Sequence, residues 1–462
     1  MKNTRHTDYK CEANRLYSKG LTDETVIAEL IGFRREHPEL SSKRLPAEMY
    51  DKVNLMCRSY MDRLARFELD YDFIIDEQKF RNTAVCCLET VLCLRSKVIN
   101  NPLAPYWLVA DYCLDDFLTI KYTDDIEKER IEFFSRHIPL ESSVQMNIGV
   151  FFCDGKTYIC FLWNHMCMDG GGFKMFWSDF CRNYSDYVNK GISPLGFSFG
   201  TRKYTAVYKD FSKEKMKAAK KQFVNVSPRT GHRFPFENDN KEKSIIIVSR
   251  KIDAVHFEKA MKAAKGLGAT VTDLLLASYI DSFAKLTLLS DEERISVACA
   301  TDLRRHMKEL SNIGYTNHVS FVHCDIDGKG KSLTQTIEKV SSKMKEHKQD
   351  EFMGLHGLSL LDIAYKTMIY FQAENVVRLF YNNPVLSVSN VGEIKPEDFV
   401  LGSDGPFDAF VAGAAKNKPC AVMTALSING CLRASICLRG NDKDKEILEK
   451  FFDEFEKNII TL

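Results

Sequence analysis

The stretch that decides the fold of this chain is Trp163-Asn164-His165-Met166-Cys167-Met168-Asp169-Gly170-Gly171-Gly172. It places a histidine and an aspartate four positions apart, in the pattern HxxxDG, after an apolar segment and at the start of a glycine-rich turn. A histidine at a strand end can be held with one ring nitrogen free. A general base needs that nitrogen to accept a proton from a bound alcohol or amine. His165 is therefore the candidate catalytic residue.

The segments on either side of the motif predict how it is held. Residues 142–153 and 157–164 are apolar and β-prone, and Asp154-Gly155-Lys156 between them predicts a hairpin turn. Beyond the glycines, aromatic residues at helical spacing predict a helix with one apolar face: Phe173, Phe176, Trp177, Phe180, Tyr184 and Tyr187. We therefore expect His165 at the end of a strand that leads into a helix.

The composition is that of a globular protein. The chain has 462 residues, of which 45% are hydrophobic and 27% are charged, enough for two large lobes. It has 64 Lys and Arg residues and 63 Asp and Glu residues, so it lacks the basic excess typical of proteins that bind nucleic acid. No nucleic-acid partner is expected. The first residues lack an apolar signal region, and no apolar run of about 18 residues predicts a transmembrane segment. We expect a cytoplasmic protein.

Several kinds of site are disfavoured by their missing patterns. The 15 cysteines are odd in number and form no CxxC pair, which predicts reduced, mostly buried thiols. HxxxD differs from HExxH and no other histidine spacing suggests ligands, so no metal is expected. GxGxxG and P-loop patterns are also missing, and no serine stands in a GxSxG elbow between a predicted strand and a predicted helix. Two interpretations of His165 remain: a base that acts directly on the acceptor, and a structural histidine at a strand end.

Residues 1–62 predict a charged, helical N-terminal extension. Thr22 is the predicted cap of a helix that runs to about Glu36, and Pro46 suits the first turn of a second helix. No candidate catalytic residue lies in this extension.

The rest of the chain predicts two lobes. Residues 63–200 form the predicted N-terminal lobe with HxxxDG, and residues 201–462 the C-terminal lobe. The boundary falls in a crossover over 188–243 that is rich in glycine and proline and contains a lysine-rich helix. The second lobe is expected to end in a hairpin around Asn429-Gly430 and a helix over 443–460. Strands and helices mix in both lobes, which predicts an α/β protein with mixed sheets.

Four segments in this order resemble the chloramphenicol-acetyltransferase-like superfamily: His165 to Gly170, Thr272-Asp273 at the start of an apolar helix, Thr301-Asp302-Leu303-Arg304, and Ser387-Val388-Ser389-Asn390-Val391-Gly392. The resemblance covers roughly residues 63–462. Within this superfamily, the chain resembles the two-lobed branch, which includes condensation domains of peptide synthetases, alcohol acetyltransferases and wax ester synthase/diacylglycerol acyltransferases. It implies two lobes that form a V with a central tunnel.

The resemblance also implies roles for the motif residues. His165 corresponds to the base that removes the acceptor's proton during attack on a thioester carbonyl. Asp169 corresponds to an orienting residue that pairs with an arginine of the second lobe, for which Arg304 fits best and Arg305 is the fallback. Gly170 would permit the tight turn after the motif.

Four further residues are candidate contacts to substrate or to the oxyanion. Gly171 allows close backbone approach, and Ser389 and Asn390 correspond to a tunnel-lining strand whose polar groups would stabilise an oxyanion; the alternative is a capped strand end. Asn164 stands where condensation domains have another histidine, HHxxxDG. That difference favours a free-standing acyltransferase over peptide synthesis.

The expected activity is acyl transfer from a thioester to a hydroxyl or amine of a small molecule. Acyl-CoA is the favoured co-substrate, and no permanently bound cofactor is expected. One alternative is a stand-alone condensation enzyme that uses a thioester on an acyl or peptidyl carrier protein. The other is a non-catalytic member of the fold that binds a carrier or an acyl chain. Because two lobes in one chain complete a site, we expect a monomer.

Overall fold

A computed structural model describes residues 2–222, 230–237, 244–310, 312–380 and 383–462. The parts of the predicted crossover at 223–229 and 238–243 lie outside the described residues. Within the described residues the helices are α1 (Lys2–Ser18), α2 (Glu24–Glu36), α3 (Met49–Met56), α4 (Glu77–Thr90), α5 (Leu114–Phe117), α6 (Ile126–Phe134), α7 (Gly170–Lys190), α8 (Lys213–Lys220), α9 (Ala254–Gly266), α10 (Val271–Thr287), α11 (Leu333–Gln349), α12 (Leu358–Thr367), α13 (Tyr370–Phe380) and α14 (Asp442–Ile460).

The strands form a small three-stranded sheet and two large sheets. They are β1 (Arg44–Pro46), β2 (Leu64–Tyr71), β3 (Ser96–Ile99), β4 (Tyr106–Val109), β5 (Leu118–Tyr122), β6 (Met146–Cys153), β7 (Lys156–Asn164), β8 (Ile245–Ile252), β9 (Ile295–Asp302), β10 (Val319–Ile326), β11 (Leu386–Ile394), β12 (Asp408–Ala412), β13 (Ala421–Ile428) and β14 (Cys431–Arg439).

The first large sheet has the order β12-β2-β7-β6-β5 and positions the HxxxDG motif. Strands β6 and β7 form the predicted antiparallel hairpin, and its turn residues Asp154 and Gly155 both have positive φ, as the tightest hairpin turns require. Helix α7 then packs its aromatic face on this sheet: Trp163 of β7 stacks on Phe173 with ring centroids 4.5 Å apart. The apolar spacing after the motif thus predicted the buried face of α7 correctly.

The second large sheet has the order β10-β9-β11-β13-β14-β8. β11 is parallel to both neighbours, whereas the other pairs are antiparallel, so the sheet is mixed. The β13–β14 hairpin turns at Asn429 and Gly430, with φ of 49° and 76°, as predicted for a type I′ turn. α10 and α14 cover this sheet, and α14 buries the predicted apolar residues Leu448, Phe451, Phe452 and Phe455.

One strand crosses from the second half of the chain into the first sheet. β12 pairs antiparallel with β2, from Asp408 opposite Asp70 to Ala412 opposite Arg66. The predicted lobes, 63–200 and 201–462, are each continuous in the chain. Residues 408–412 fall within the second predicted lobe but belong to the sheet that carries the motif. The crossing strand ties the two halves together beside the cavity described below.

The start of α2 differs from the prediction. Its N-cap is Asp23, whose carboxylate accepts hydrogen bonds from the backbone N–H groups of Thr25 at 2.9 Å and Val26 at 3.2 Å. Thr22, the predicted cap, lies one residue earlier and contacts Asn82. Both residue types cap helices well, so the one-residue difference depends on which side chain reaches the free N–H groups.

The second predicted helix start is also wrong. Pro46 is the last residue of β1, which pairs with β4, and α3 begins three residues later at Met49. The carboxylate of Asp51 accepts from the backbone N–H of Glu48 at 3.0 Å, which stabilises this start. A proline is tolerated at the end of a short edge strand because no ladder hydrogen bond needs its missing N–H.

Two further expectations concern the chain as a whole. Most cysteines are buried, as predicted; Cys11 and Cys113 are exposed and Cys431 is half-buried. None of the helices in the described part of the chain is both long enough and apolar enough to cross a membrane.

Candidate active site

His165 directly follows β7, and the start of β2 holds its backbone. Its N–H donates to the carbonyl of Arg63 at 2.7 Å. Arg63 has a φ of 63°, in the left-handed region that non-glycine residues rarely adopt, and it precedes the first residue of β2. Such strained residues cluster at functional sites because the surrounding structure must hold them in place.

The ring of His165 is oriented by Asn317, a residue that sequence reasoning missed. Nδ1 of His165 lies 3.0 Å from Oδ1 of Asn317, while Nδ2 of Asn317 donates to the carbonyls of His165 at 2.8 Å and Met166 at 3.3 Å. Because the amide nitrogen is engaged by two carbonyls, its oxygen faces the ring and accepts a hydrogen bond from Nδ1–H. The neutral imidazole therefore keeps Nε2 free to accept a proton.

The electrostatic surroundings keep this imidazole neutral. Burial lowers the pKa of His165, and the positive charge of Lys416 acts in the same direction. Asp169 and the hydrogen bond to Asn317 oppose the shift without reversing it. Since a lowered pKa means that the ring is unprotonated at pH 7, it is ready to act as a base.

Asp169 and Arg304 form the pair predicted from the sequence. Nη2 of Arg304 lies 2.9 Å from Oδ1 of Asp169, and Nη1 lies 3.2 Å from Oδ2. The carboxylate also accepts from the backbone N–H groups of Gly172 at 2.7 Å and His318 at 2.6 Å. The fallback partner, Arg305, instead contacts Met353.

These contacts make Asp169 a fully engaged buried anion. Burial alone raises the pKa of Asp169, but the guanidinium of Arg304 and the two N–H donors outweigh it and the pKa is lowered. Asp169 caps α7, and Arg304 follows β9 of the second sheet. The pair therefore connects the helix after the motif to the other lobe.

The three glycines of the motif differ in how much space a side chain would have at each position. A Cβ on Gly171 would lie 2.6 Å from Nη1 of Arg304, and a Cβ on Gly172 would lie 2.6 Å from the carbonyl of Thr316. A Cβ on Gly170 would meet Val391 at an ordinary 3.5 Å. The close approach expected at Gly171 is present, Gly172 makes a further one, and Gly170 makes none.

Asn164, a candidate substrate contact, is fully buried. Its Nδ2 donates to Oε1 of Gln145 at 2.9 Å, and its Oδ1 accepts from the backbone N–H of Met166 at 3.1 Å. It is not among the residues that line the cavity at His165. The structure thus places Asn164 in the support of the turn.

Ser389 and Asn390 lie on β11 and both line that cavity. Nδ2 of Asn390 donates to the Thr272 hydroxyl at 3.1 Å, and its Oδ1 accepts from the backbone N–H of Gly392 at 2.9 Å. The register between β11 and β13 shifts between Asn390 and Gly392. Because the amide of Asn390 is engaged on both sides, Ser389 is the better candidate for a substrate contact.

The cavity has a volume of about 280 Å³ and lies between the two large sheets. One wall comes from α3, β2, β7 and α7, and the other from β9, β10, β11, β13 and the segment after β12. His165, Asp169, Gly170, Gly171, Arg304, Ser389 and Asn390 all line it. Within the described ranges, no three His, Cys, Asp or Glu side chains are grouped to hold a metal ion.

The residues that the sequence did not reveal are Asn317 and His318. They lie 152 and 149 positions from the motif residues that they contact, and Asn-His carries no recognisable spacing. The His318 ring is buried and has no hydrogen-bond partner among the described residues, and burial, with the charge of Arg304, lowers its pKa to about 4. A neutral, enclosed ring of this kind acts as packing beside Asp169.

No family model matches the chain, and no curated protein matches it. Solved structures do. The first condensation domain of the calcium-dependent antibiotic synthetase, in complex with substrate analogue 3a, matches with a TM-score of 0.63 and 14% identity, over 91% of this chain and 97% of that one. The epimerization domain from the third module of tyrocidine synthetase B has a TM-score of 0.60 and 14% identity, over 91% and 97% of the two chains.

A third similar structure is an acetyltransferase. The trichothecene 15-O-acetyltransferase from Fusarium sporotrichioides has a TM-score of 0.61 and 12% identity, over 90% of this chain and 95% of that one. Likenesses at these identities show the fold. The chain is therefore a mixed α/β protein with the two-lobed chloramphenicol-acetyltransferase-like fold, as its motifs predict.

Proposed function

We propose that this protein is an acyltransferase that moves an acyl group from a thioester to a hydroxyl or amine, with His165 as the general base. The observation that carries the proposal is the contact between His165 and Asn317, because it leaves Nε2 free on a neutral ring at the cavity. The fold likeness to condensation domains and to an acetyltransferase supports acyl transfer as the class of reaction.

The proposed reaction begins when Nε2 of His165 accepts the proton of the acceptor hydroxyl or amine. The acceptor oxygen or nitrogen bonds to the thioester carbonyl carbon, and the carbonyl oxygen takes the negative charge. When this intermediate collapses, the carbon–sulfur bond breaks and the thiolate receives the proton from Nε2. A positioned base of this kind contributes about 10²- to 10⁴-fold in rate.

Two other groups support this chemistry. Asp169 raises the pKa of His165, which favours the imidazolium that forms while the ring holds the proton. Ser389 lies on the cavity wall, where its hydroxyl is a candidate donor to the oxyanion. Arg304, held on Asp169, is a positioning residue because its guanidinium is engaged by protein atoms.

The proposal leaves two candidate thioester donors: acyl-CoA and a thioester on a carrier protein. We favour acyl-CoA because Asn164 stands in place of the first histidine of HHxxxDG. The competing function is condensation with a carrier-bound thioester in trans. Both use His165 in the same way, so the donor has to be determined by assay.

The test is thiol release from acyl-CoA and from an acylated carrier protein, each with and without a panel of alcohols and amines, with products identified by mass spectrometry. We expect acceptor-dependent release that is lost in His165→Ala and kept in His256→Ala, since His256 is exposed on α9. Equal transfer by His165→Ala would contradict the role of His165. If no thiol were released from either donor, acyl transfer would be contradicted.

A further inference from the structure

Lys416 lies on the wall of the cavity that contains His165. Its backbone is fixed: its N–H donates to the carbonyl of Cys437 at 3.3 Å, and its carbonyl accepts from the N–H of Arg439 at 2.9 Å. It also forms an isolated β-bridge with Met61. The segment after β12 therefore holds this lysine firmly between the two halves of the chain.

The ammonium group of Lys416 has sulfur atoms around it. Nζ contacts Sδ of Met61 at 3.2 Å, and ionisation of the thiols of Cys57 and Cys420 would raise the pKa of Lys416. A thioether is a weak acceptor for an ammonium group. Lys416 is half-buried, and burial lowers its pKa, which disfavours the protonated form.

The carboxylate that acts on Lys416 is already engaged. Asp62 binds Arg66 through Oδ2 at 2.8 Å, and its Oδ1 accepts from the N–H groups of Leu64 at 3.0 Å and Ala415 at 2.9 Å. Among the residues that the structure describes, none places a carboxylate within 4.0 Å of Lys416 Nζ. Asp62 therefore balances Arg66 and leaves Lys416 without a direct counter-ion.

Other buried or half-buried cations nearby are neutralised by the protein. Arg304 pairs with Asp169, Arg202 pairs with Asp51 at 2.8 Å, and Lys418, two residues after Lys416, pairs with Asp444 at 2.8 Å. Burying a charge without a partner is costly, so a protein normally supplies the partner itself. Lys416 is the exception among these cations, and it lines the cavity with His165, as the paired Arg304 does.

We propose that Lys416 binds an anionic group, a carboxylate or a phosphate, of a substrate whose reacting part lies at His165. This inference rests on the proposed function, because it assigns a charge to the substrate of the same cavity. The bound anion would supply the missing counter-ion in a site of low polarity, where charge pairs are strong. It would also offset the effect by which Lys416 disfavours a proton on His165.

Two sources supply such an anion. One is a carboxylate on the acceptor or acyl group, and the other is a phosphate of the CoA or phosphopantetheine arm. Lys174 is a matched comparison, because it lines the same cavity but its Nζ donates to the carbonyl of Val391 at 2.9 Å. Its ammonium group already has a good acceptor.

The test is calorimetric binding to wild type, Lys416→Met, Lys416→Arg and Lys174→Met. The probes are CoA, pantetheine without phosphates, inorganic phosphate, and hydroxy acids paired with their methyl esters. We expect Lys416→Met to bind the anionic probe at least about tenfold more weakly, as for the loss of one charge-assisted hydrogen bond, and to bind the neutral analogue unchanged. Lys416→Arg should retain most of the binding, and Lys174→Met should lose less than Lys416→Met.

The probes identify the source of the anion. Weaker binding of CoA but not pantetheine indicates a phosphate, and weaker binding of a hydroxy acid but not its ester indicates a carboxylate. If no anionic probe binds wild type more tightly than Lys416→Met, the inference is wrong. His165→Ala should still bind the probe. If wild type bound an anionic probe but released no thiol from either donor, acyl transfer would be wrong and anion binding by Lys416 would stand. Since Lys416→Met removes an unpaired charge, its melting temperature should not fall.

Discussion

Asn317 contacts His165 through both ends of its amide: Oδ1 lies 3.0 Å from the ring Nδ1, and Nδ2 donates to the His165 carbonyl at 2.8 Å. One side chain therefore sets both the backbone and the tautomer of the candidate base. Asn317 immediately precedes His318, whose N–H binds Asp169. The short segment before β10 thus holds both polar residues of the HxxxDG motif.

The activity of the wild-type protein should rise with pH through the ionisation of His165. Burial lowers the pKa of His165 below the ordinary histidine value of about 6.5, and a base is active only above its pKa. We therefore expect the midpoint of kcat/KM to lie below pH 6.5. A pH profile of the transfer reaction measures it, and a midpoint clearly above pH 7 would contradict a buried neutral base.

Replacing Asn317 by aspartate should shift this profile. A carboxylate beside Nδ1–H favours the protonated imidazolium, so the pKa of His165 should rise and the acidic limb of kcat/KM should move to higher pH. In Asn317→Ala the tautomer is no longer selected, and we expect kcat to fall about 10- to 100-fold.

Asn189→Asp is the control for the added charge, since Asn189 is exposed near the end of α7. It should leave the profile in place. If Asn317→Asp and Asn189→Asp gave the same midpoint, Asn317 would not orient the base.

Removing Arg304 should destabilise the fold strongly at neutral pH. Arg304→Ala leaves Asp169 as a buried carboxylate without its cation, which costs about 3–5 kcal/mol in the free energy of unfolding. Urea unfolding at pH 7 measures this change. Arg182→Ala is the control, because Arg182 is exposed in its pair with the half-buried Asp179 and its loss should cost less than about 1 kcal/mol.

The same pair predicts a dependence of stability on pH. The folded pKa of Asp169 is lowered, so its ionised form contributes stability above the unfolded value of about 3.9 and loses it as the pH falls through the folded pKa. Without Arg304 the folded pKa rises. The stability difference between wild type and Arg304→Ala should therefore be largest near pH 7 and shrink in acid, and a difference that grows in acid would contradict the pair.

A pair of glycine substitutions tests the packing at the start of α7. Gly172→Ala places a Cβ 2.6 Å from the carbonyl of Thr316, so the backbone must shift, at a cost of about 1–3 kcal/mol. Gly170→Ala meets only Val391 at 3.5 Å and should change stability by less than about 1 kcal/mol. Thermal and urea unfolding of the two variants compare them directly, and equal stabilities would show that the close approach at Gly172 is relaxed without cost.

Local patterns predicted most of the elements that hold the site. The aromatic spacing after the motif predicted α7, and the turn residues at Asp154 and Asn429 predicted two hairpins. The errors at Thr22 and Pro46 are helix starts, which depend on small differences in capping contacts. The crossing of β12 into the first sheet has no local signal, because strand pairing joins residues that are far apart in the chain.

The sequence by itself determined the mixed α/β class and the strand-to-helix position of His165, because these depend on periodicity and turn chemistry, which are local. The resemblance of its motifs to a known superfamily implied Arg304 as the partner of Asp169. Only the tertiary structure decided that Asn317 orients His165, that Gly172 carries a close approach, and that Lys416 faces the cavity without a direct counter-ion. Those relationships depend on where distant segments meet, because burial and hydrogen-bond partners exist only after the chain has packed.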